Sequence, residues 1–212
     1  MYVKNYMSCN VVTVDRDATI SEAVTIMNET NIHRLPVMHN GKLVGLITDG
    51  NIEKASPSKA TSLSMYEINY LLSKTTVKDC MTKNVHTIEQ DELLEIAADK
   101  MRYLQVTCLP VMDGDKLVGI ITEVDLFNAF LDLLGTHRKG ARVTIEIEED
   151  KVGVMRDICT VMAQNNVSIS HIAIYHMDVV SVVLRVDCGD EAKLRDILTS
   201  AGYKVSHILI IE

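Results

Sequence analysis

Leu35-Pro36-Val37-Met38 returns as Leu109-Pro110-Val111-Met112, and the residues around it return with it. A shift of 74 residues aligns 7–52 with 81–126 without a gap, and 17 of the 46 positions are identical. The identities include Asn10/Asn84, Thr13/Thr87, and Lys42-Leu43-Val44-Gly45 with Lys116-Leu117-Val118-Gly119. An internal repeat decides how the rest of a chain is read. Two copies are too few for a solenoid. They suit a tandem duplication packed about a pseudo-twofold axis, with two related clefts between the copies.

Each copy has the same local order. Residues 11–14 read as a short strand, followed by a turn over 15–19. Thr19-Ile20-Ser21-Glu22 has capping-box form. Ile20, Ala23, Val24 and Met27 then fall on one helix face, as do Leu94, Ala97, Ala98 and Met101 in the second copy. Pro36 opens a short buried strand, Asn40-Gly41 makes a tight turn, and residues 43–47 (117–121 in the second copy) form the partner strand. Thr48-Asp49-Gly50-Asn51 leads into another helix. Ser56-Pro57-Ser58 is a turn, and Ser64 caps a linker helix carrying Tyr66, Ile68, Leu71 and Leu72. Residues 126–134 form a buried or interface helix stopped by Gly135, and 137–140 are a linker.

From Ala141 a new pattern begins. Val143, Ile145 and Ile147 alternate with polar residues, the mark of a strand with one wet face. A helix carries Val154, Ile158, Val161 and Met162, strands cover 168–175 and 179–186, and a second helix carries Leu194, Ile197, Leu198 and Ala201. A last strand covers 205–211. Strand-helix-strand-strand-helix-strand is the ferredoxin-like unit. The fold class is therefore α/β (α+β), with segments 1–60, 61–76 (linker), 77–136 and 141–212.

The 212 residues are 47% hydrophobic and 24% charged, with a net charge of −8. Without a basic stripe, nonspecific nucleic-acid binding is not expected. No apolar run approaches a membrane span or a secretory signal. Five cysteines without a Cys-x-x-Cys pair fit reduced thiols in a cytoplasm better than a disulfide framework or zinc knuckle.

The chemistry concentrates in Gly119-Ile120-Ile121-Thr122-Glu123-Val124-Asp125. Glycine at the strand exit permits close approach. The Thr122 hydroxyl can meet a ribose or phosphate oxygen, and Asp125 can accept both hydrogens of a vicinal diol. The free amides of the adjoining helix N-terminus favour phosphate. The bland alternative is that Thr122 and Asp125 simply cap the helix. The first copy has Gly45-Leu46-Ile47-Thr48-Asp49-Gly50-Asn51, where Asn51 lacks the charge and adds donors. The two clefts should therefore be unequal.

The two copies resemble CBS domains, and the pair resembles a Bateman module. The C-terminal segment is similar to an ACT domain, with Val152-Gly153 at the turn where that family has Pro-Gly. The three together resemble the acetoin-utilisation protein AcuB family. The resemblance implies clefts that draw a ribose pair from one copy and much of the base-facing wall from the other. Thr122 and Asp125 would then share a cleft with Met7, Val12, Ile32, His33, Arg34 and Pro36. Thr48 and Asn51 would face Met81, His86, Val106, Thr107, Cys108 and Pro110. His33-Arg34 resembles the phosphate-contacting pair of the AMP-activated kinase regulatory subunit, whereas the second copy has Thr107-Cys108. A surface ion pair is the alternative for Arg34, and solvated side chains for Lys54 and Lys59. In the last segment the resemblance points to Val152, Gly153, Val154, Asn166, Val167 and Ser168 as an amino-acid site, or to a domain that only assembles.

His171, His176 and His207 have no partner at ligand spacing, so no metal site is expected. No nucleophile-base pair stands out around Cys108 or Cys159, and no catalytic residue is expected. The expectation is a non-catalytic, homodimeric regulator that binds an adenine nucleotide or adenosyl compound and informs another protein. A cyclic dinucleotide such as c-di-AMP is the alternative ligand. An acetoin-utilisation enzyme is the alternative class.

Overall fold

A computed structural model describes residues 1–55, 64, 67, 74–176 and 178–211. They form two compact units, Met1–Leu126 and Phe127–Glu212. The expected turn at Ser56-Pro57-Ser58, Lys59, and the linker-helix residues Tyr66, Ile68, Leu71 and Leu72 lie outside the described residues. Ser64 and Glu67 do make the expected cap: the Ser64 amide and hydroxyl donate to Glu67 Oε2 at 2.8 and 2.7 Å.

In the first unit, copy one is β1 (Val14–Asp15), α1 (Ile20–Thr30), β2 (Arg34–His39), β3 (Lys42–Thr48) and α2 (Asp49–Ala55). A short helix α3 (Val77–Cys80) leads to copy two: β4 (Ile88–Glu89), α4 (Leu94–Leu104), β5 (Cys108–Asp113), β6 (Lys116–Thr122) and α5 (Glu123–Leu133). Each copy has a three-stranded sheet, β1-β2-β3 or β4-β5-β6, with the first pair parallel and the second antiparallel. Strand 11–14 proves shorter than expected. Val11 donates back to the Cys9 carbonyl at 3.0 Å, which turns the chain before it can pair, and pairing begins only at Val14. The strand around Pro36 starts earlier than expected, at Arg34.

The prolines of the repeat have a structural reason. Pro36 lies opposite Leu46, but the Leu46 amide and carbonyl both bond to Thr82, at 3.0 and 2.9 Å. Pro110 faces Ile120, whose amide and carbonyl both bond to Ser8, at 3.1 and 2.9 Å. At these pairs the ladder asks no N–H of the proline, so the missing donor costs nothing there.

The copies therefore exchange their leading segments. Val3 and Lys4 donate to Glu92 and Gln90 of copy two, both at 2.9 Å, and Val77 and Lys78 donate to Ala18 and Arg16 of copy one, at 2.8 and 3.0 Å. Val3 and Val77 are fully buried, each worth roughly 1.5–3 kcal/mol of transfer free energy. The core of copy one gathers Val14, Ile20, Ala23, Met27, Leu35, Val37, Ile47 and the exchanged Val77. Val24 is only half-buried and Ala98 is exposed; the stripe of α4 centres on Leu94, Ala97 and Met101, which leaves position 98 at its rim.

The second unit places β7 (Gly140–Ile147), α6 (Val154–Gln164), β8 (Ile169–His176), β9 (Val180–Val186), α7 (Glu191–Ser200) and β10 (Lys204–Ile211) in the order β10-β7-β9-β8. All neighbours are antiparallel. The βαββαβ order gives the expected ferredoxin-like unit, with both helices on one face. Gly140, read as linker, begins β7, and a side chain there would meet the Val186 carbonyl at 2.0 Å. Ala201 caps α7 and is exposed. Within α5 only Ala129 is buried, whereas Phe127 and Phe130 are 65% and 55% exposed. Among the described residues no helix is long and apolar enough to cross a membrane.

The capping box of α1 forms as read: the Thr19 amide and hydroxyl donate to Glu22 Oε2 at 2.7 and 3.0 Å. These donors hold the Glu22 carboxyl below the usual carboxylate range, as Thr76 does for Asp79 through its hydroxyl and amide. A depressed folded-state pKa adds stability that is whole above the ordinary carboxylate range, near pH 4, and lost as pH falls below that range through the folded-state pKa. Glu22→Gln should therefore lower Tm at neutral pH, and the difference from wild type should shrink as pH falls below the ordinary carboxylate range. Thermal melts across that range check this.

Candidate functional site

The exchange creates two clefts, one on each side of the pseudo-twofold axis. The larger, about 390 Å³, is walled by Leu46, Thr48, Gly50, Asn51 and Lys54 from copy one. Copy two supplies Thr82, Asn84, Val85, His86, Gln105, Val106, Thr107 and Cys108. The smaller, about 270 Å³, is lined by Ser8, Asn10, Val11, Val12, Ile32, His33, Arg34 and Pro36 with Ile120 and Thr122. Cavities of a few hundred Å³ with a few convergent polar groups are the size of small-molecule sites.

At both clefts the strand-to-helix junction closes on itself. The Thr122 amide and hydroxyl donate to Asp125 Oδ2, both at 2.7 Å, and the Asp125 amide returns to Thr122 Oγ1 at 3.4 Å. Thr48 and Asn51 repeat this through Asn51 Oδ1, at 3.0, 2.8 and 3.3 Å. The capping role is thus real, and it decides what is left over. Asp125 keeps Oδ1, an acceptor, outside the box. Asn51 keeps Nδ2, a donor, which reaches Thr82 Oγ1 at 3.5 Å. One junction is left with an acceptor suited to hydroxyls, and its twin with a donor suited to oxygens.

Of the residues expected in the smaller cleft, Thr122, Val12, Ile32, His33, Arg34 and Pro36 line it, while Met7 and Asp125 are not among its wall residues. Of those expected in the larger, Thr48, Asn51, His86, Val106, Thr107 and Cys108 line it, while Met81 and Pro110 do not. Met7 and Met81 are occupied elsewhere: a side chain added at Gly119 or Gly45 would meet their sulfurs at 2.4 and 2.3 Å. Pro110 is buried within β5.

His33 Nδ1 lies 2.7 Å from Asp49 Oδ2 on an exposed surface, so that histidine already has an anionic partner. The cleft with the more room, the walls with Lys54 and His86, is the one facing Asn51. The wall residues that the sequence reading did not name as such are Ser8, Asn10, Val11, Leu46, Gly50, Thr82, Asn84, Val85, Gln105 and Ile120. The identical polar pair Asn10/Asn84 was the available signal.

Cys108 is buried at the edge of the larger cleft. Burial pushes its thiol up, Arg34 pulls it down, and Glu123 adds to the rise. Arg34, a wall residue of the smaller cleft, is thus felt at the larger one.

In the second unit, Gly153 has φ 101° and caps α6, a conformation that favours glycine at that position. Val152 is wholly exposed. Asn166 is left-handed at φ 54°, and the Ser168 carbonyl accepts from Asp187 at 3.0 Å. Val154 packs against the core, and Val167, 5% exposed, is part of it; neither is an open wall. His171, His176 and His207 form no ligand cluster among the described residues. There, three ligand-type side chains do converge at Asp15, Asp17 and His39, but Lys78 already pairs with Asp17 at 2.8 Å.

Two crossed αβ copies with twin clefts beside capped helix N-termini, followed by a βαββαβ unit, define a tandem domain pair with a third, smaller domain. The chain belongs to the CBS-domain family. The CBS-domain family model matches residues 3–58 and 77–132, and the ACT-domain model matches residues 141–203.

A CBS domain-containing protein of Dictyostelium discoideum is 34% identical over 134 residues, covering 62% of this chain and 92% of that protein. A homoserine O-acetyltransferase of Methanohalobium evestigatum is 35% identical over 127 residues, but the match spans 59% of this chain and only 23% of that enzyme. Among solved structures, the CBS domain pair of protein MJ0100 in complex with 5′-methylthioadenosine and S-adenosyl-L-methionine is 32% identical with a TM-score of 0.52. That match covers 65% of this chain and 98% of the other. A Vibrio cholerae structure described as an acetoin utilization protein (AcuB) is 26% identical with a TM-score of 0.53, covering 65% and 95%.

Thiolate character controls alkylation rate. Cys108 should therefore react with iodoacetamide more slowly than the exposed Cys9 and Cys159. Peptide mass spectrometry over a labelling time course checks this order.

Proposed function

We propose that this protein is a non-catalytic regulator that binds an adenine nucleotide or adenosyl compound in the clefts of its CBS pair. The observation that carries this reading is the pair of boxed junctions, Thr122/Asp125 and Thr48/Asn51, each set beside a cleft whose opposite wall comes from the other copy. The adenosyl compounds held by the related MJ0100 pair support it. In this reading the Asp125 carboxylate accepts from a ribose diol, and Arg34 meets phosphate or carboxylate in the smaller cleft. In the larger, Asn51, Lys54 and His86 face the ligand, with Thr107 and Cys108 against the base.

A regulator needs two conformations with different affinities, because equal binding shifts nothing. The ACT domain serves assembly or small-molecule sensing at 152–154 and 166–168, and the exposed Phe127 and Phe130 suit a homodimer contact. The segments 1–60, 77–136 and 141–212 are the working units of a cytoplasmic protein that informs a second protein.

Calorimetric titration of the full chain with S-adenosylmethionine, 5′-methylthioadenosine, AMP, ATP and c-di-AMP tests the reading. At least one adenosyl compound should bind more tightly than about 1 mM, the −4.1 kcal/mol level. Asp125→Ala should weaken it roughly tenfold, a loss of about 1.4 kcal/mol. Binding by none of the five would end the sensor reading. Unchanged affinity in Asp125→Ala would remove Asp125 from the site. Binding by c-di-AMP alone would replace the mononucleotide assignment with a dinucleotide one.

A further inference from the structure

The helix-free face of the four-stranded sheet carries a feature that the clefts do not use. Ala141, Val143, Ile145 and Ile147 of β7, with Val182, Leu184 and Val186 of β9, face the helices, so the alternating residues face the other way. There Arg142 pairs in register with Arg185, and Arg185 with His171. Paired positions on neighbouring strands stand about 5 Å apart at Cα, so two guanidinium groups and an imidazole form one cross-strand row. Like charges directly opposite are destabilising.

The row is roofed. The segment after α5 lies over it, and the Arg185 Nε donates to the Leu134 carbonyl at 3.2 Å. The His171 ring packs so closely on Gly135 (φ 62°) that a Cβ there would meet its Nδ1 at 2.3 Å. Arg142 Nη1 donates to Thr144 Oγ1 at 3.0 Å. Arg185 Nη1 is shut off from solvent and, among the described residues, has no hydrogen-bond partner, a costly state for a charged donor. Burial and the neighbouring Arg142 both pull the Arg185 guanidinium below its ordinary pKa.

A cavity of about 60 Å³ lies under this roof, lined by the three basic residues with Leu133, Leu134, Ile172, Ala173, Tyr175 and Val183. It exceeds the roughly 10–15 Å³ needed for a single water and admits only a very small molecule. Its lining has two guanidinium groups whose remaining N–H donors suit a carboxylate, apolar walls for a short tail, and, among the described residues, no carboxylate to receive an ammonium group.

We propose that Arg142, Arg185 and His171 form a binding site for a short monocarboxylate without an amino group. The carboxylate accepts from the guanidinium groups of Arg142 and Arg185, and the tail rests on Leu134, Ala173 and Val183. This site is distinct from the turns at 152–154 and 166–168 and does not depend on nucleotide binding in the clefts.

The test uses the full ¹⁵N-labelled chain and follows the arginine Nε–Hε signals during titration with propionate, propionamide, alanine and inorganic phosphate. Propionate should shift the Arg142 and Arg185 signals saturably, with half-saturation below about 10 mM. Propionamide should give no saturable shift, and alanine and phosphate should bind at least tenfold more weakly. Arg142→Gln should weaken propionate at least tenfold; if that variant does not fold, the four ligands on the wild-type chain decide alone. Absence of a saturable propionate shift, an equal response to propionamide, or alanine or phosphate binding as tightly as propionate would each overturn the proposal.

Discussion

Gly45 and Gly119 set the constraint on which the first unit depends. Each leaves a space into which the opposite copy inserts a methionine, Met81 over Gly45 and Met7 over Gly119. Next to each methionine, Thr82 or Ser8 bonds reciprocally to Leu46 or Ile120 of the other copy. The exchange turns two small sheets, too slight to stand alone, into one body. It also fixes where the clefts fall, because each cleft is the gap beside one such crossing. Pro36 and Pro110 are permitted for the same reason: the residues opposite them spend their backbone groups on the crossing segment rather than on the proline strand.

A symmetric scaffold with asymmetric chemistry follows from this division. The methionine and glycine of each crossing are identical in the two copies, whereas His33-Arg34 and Asn51 in one copy stand against Thr107-Cys108 and Asp125 in the other. Both junctions use a threonine and a carboxylate-shaped side chain to cap a helix, so folding asks only for an oxygen at position 51 or 125. The atom left over is free to vary, and it is an acceptor in one copy and a donor in the other. Such a pair can hold two different ligands, or two parts of similar ligands, without altering the fold.

Much of this was legible in the sequence because the repeat is ungapped and its glycines, prolines and capping threonines have local physical meanings. The periodicity of Ile20, Ala23 and Met27, the Asn40-Gly41 turn and the βαββαβ order were all readable from spacing. The exchange of leading segments was not read, although Val3-Lys4 and Val77-Lys78 lie just upstream of the aligned copies and are identical. The role of Met7 and Met81 as fillers of glycine spaces, rather than cleft walls, depends on a long-range approach that no local pattern encodes. Cross-strand register is similarly silent in sequence. Nothing in residues 142 and 185 announces that they stand side by side, so the arginine row emerges only from the folded sheet. The weaker readings, residues 11–14 as a strand and Ala98 on the buried stripe, failed because apolar character was taken for pairing or burial.

The central claim is that reciprocal seating of methionine over glycine joins the two copies. A double-mutant cycle of Gly119→Ala and Met7→Ala, followed by urea unfolding of the full chain, tests it most directly. The added methyl of Gly119→Ala should be costly beside the Met7 sulfur and far less so once that side chain is removed, giving a coupling of about 1 kcal/mol or more. Costs that simply add to within about 0.5 kcal/mol would show that the two residues do not hold each other, and would contradict the account.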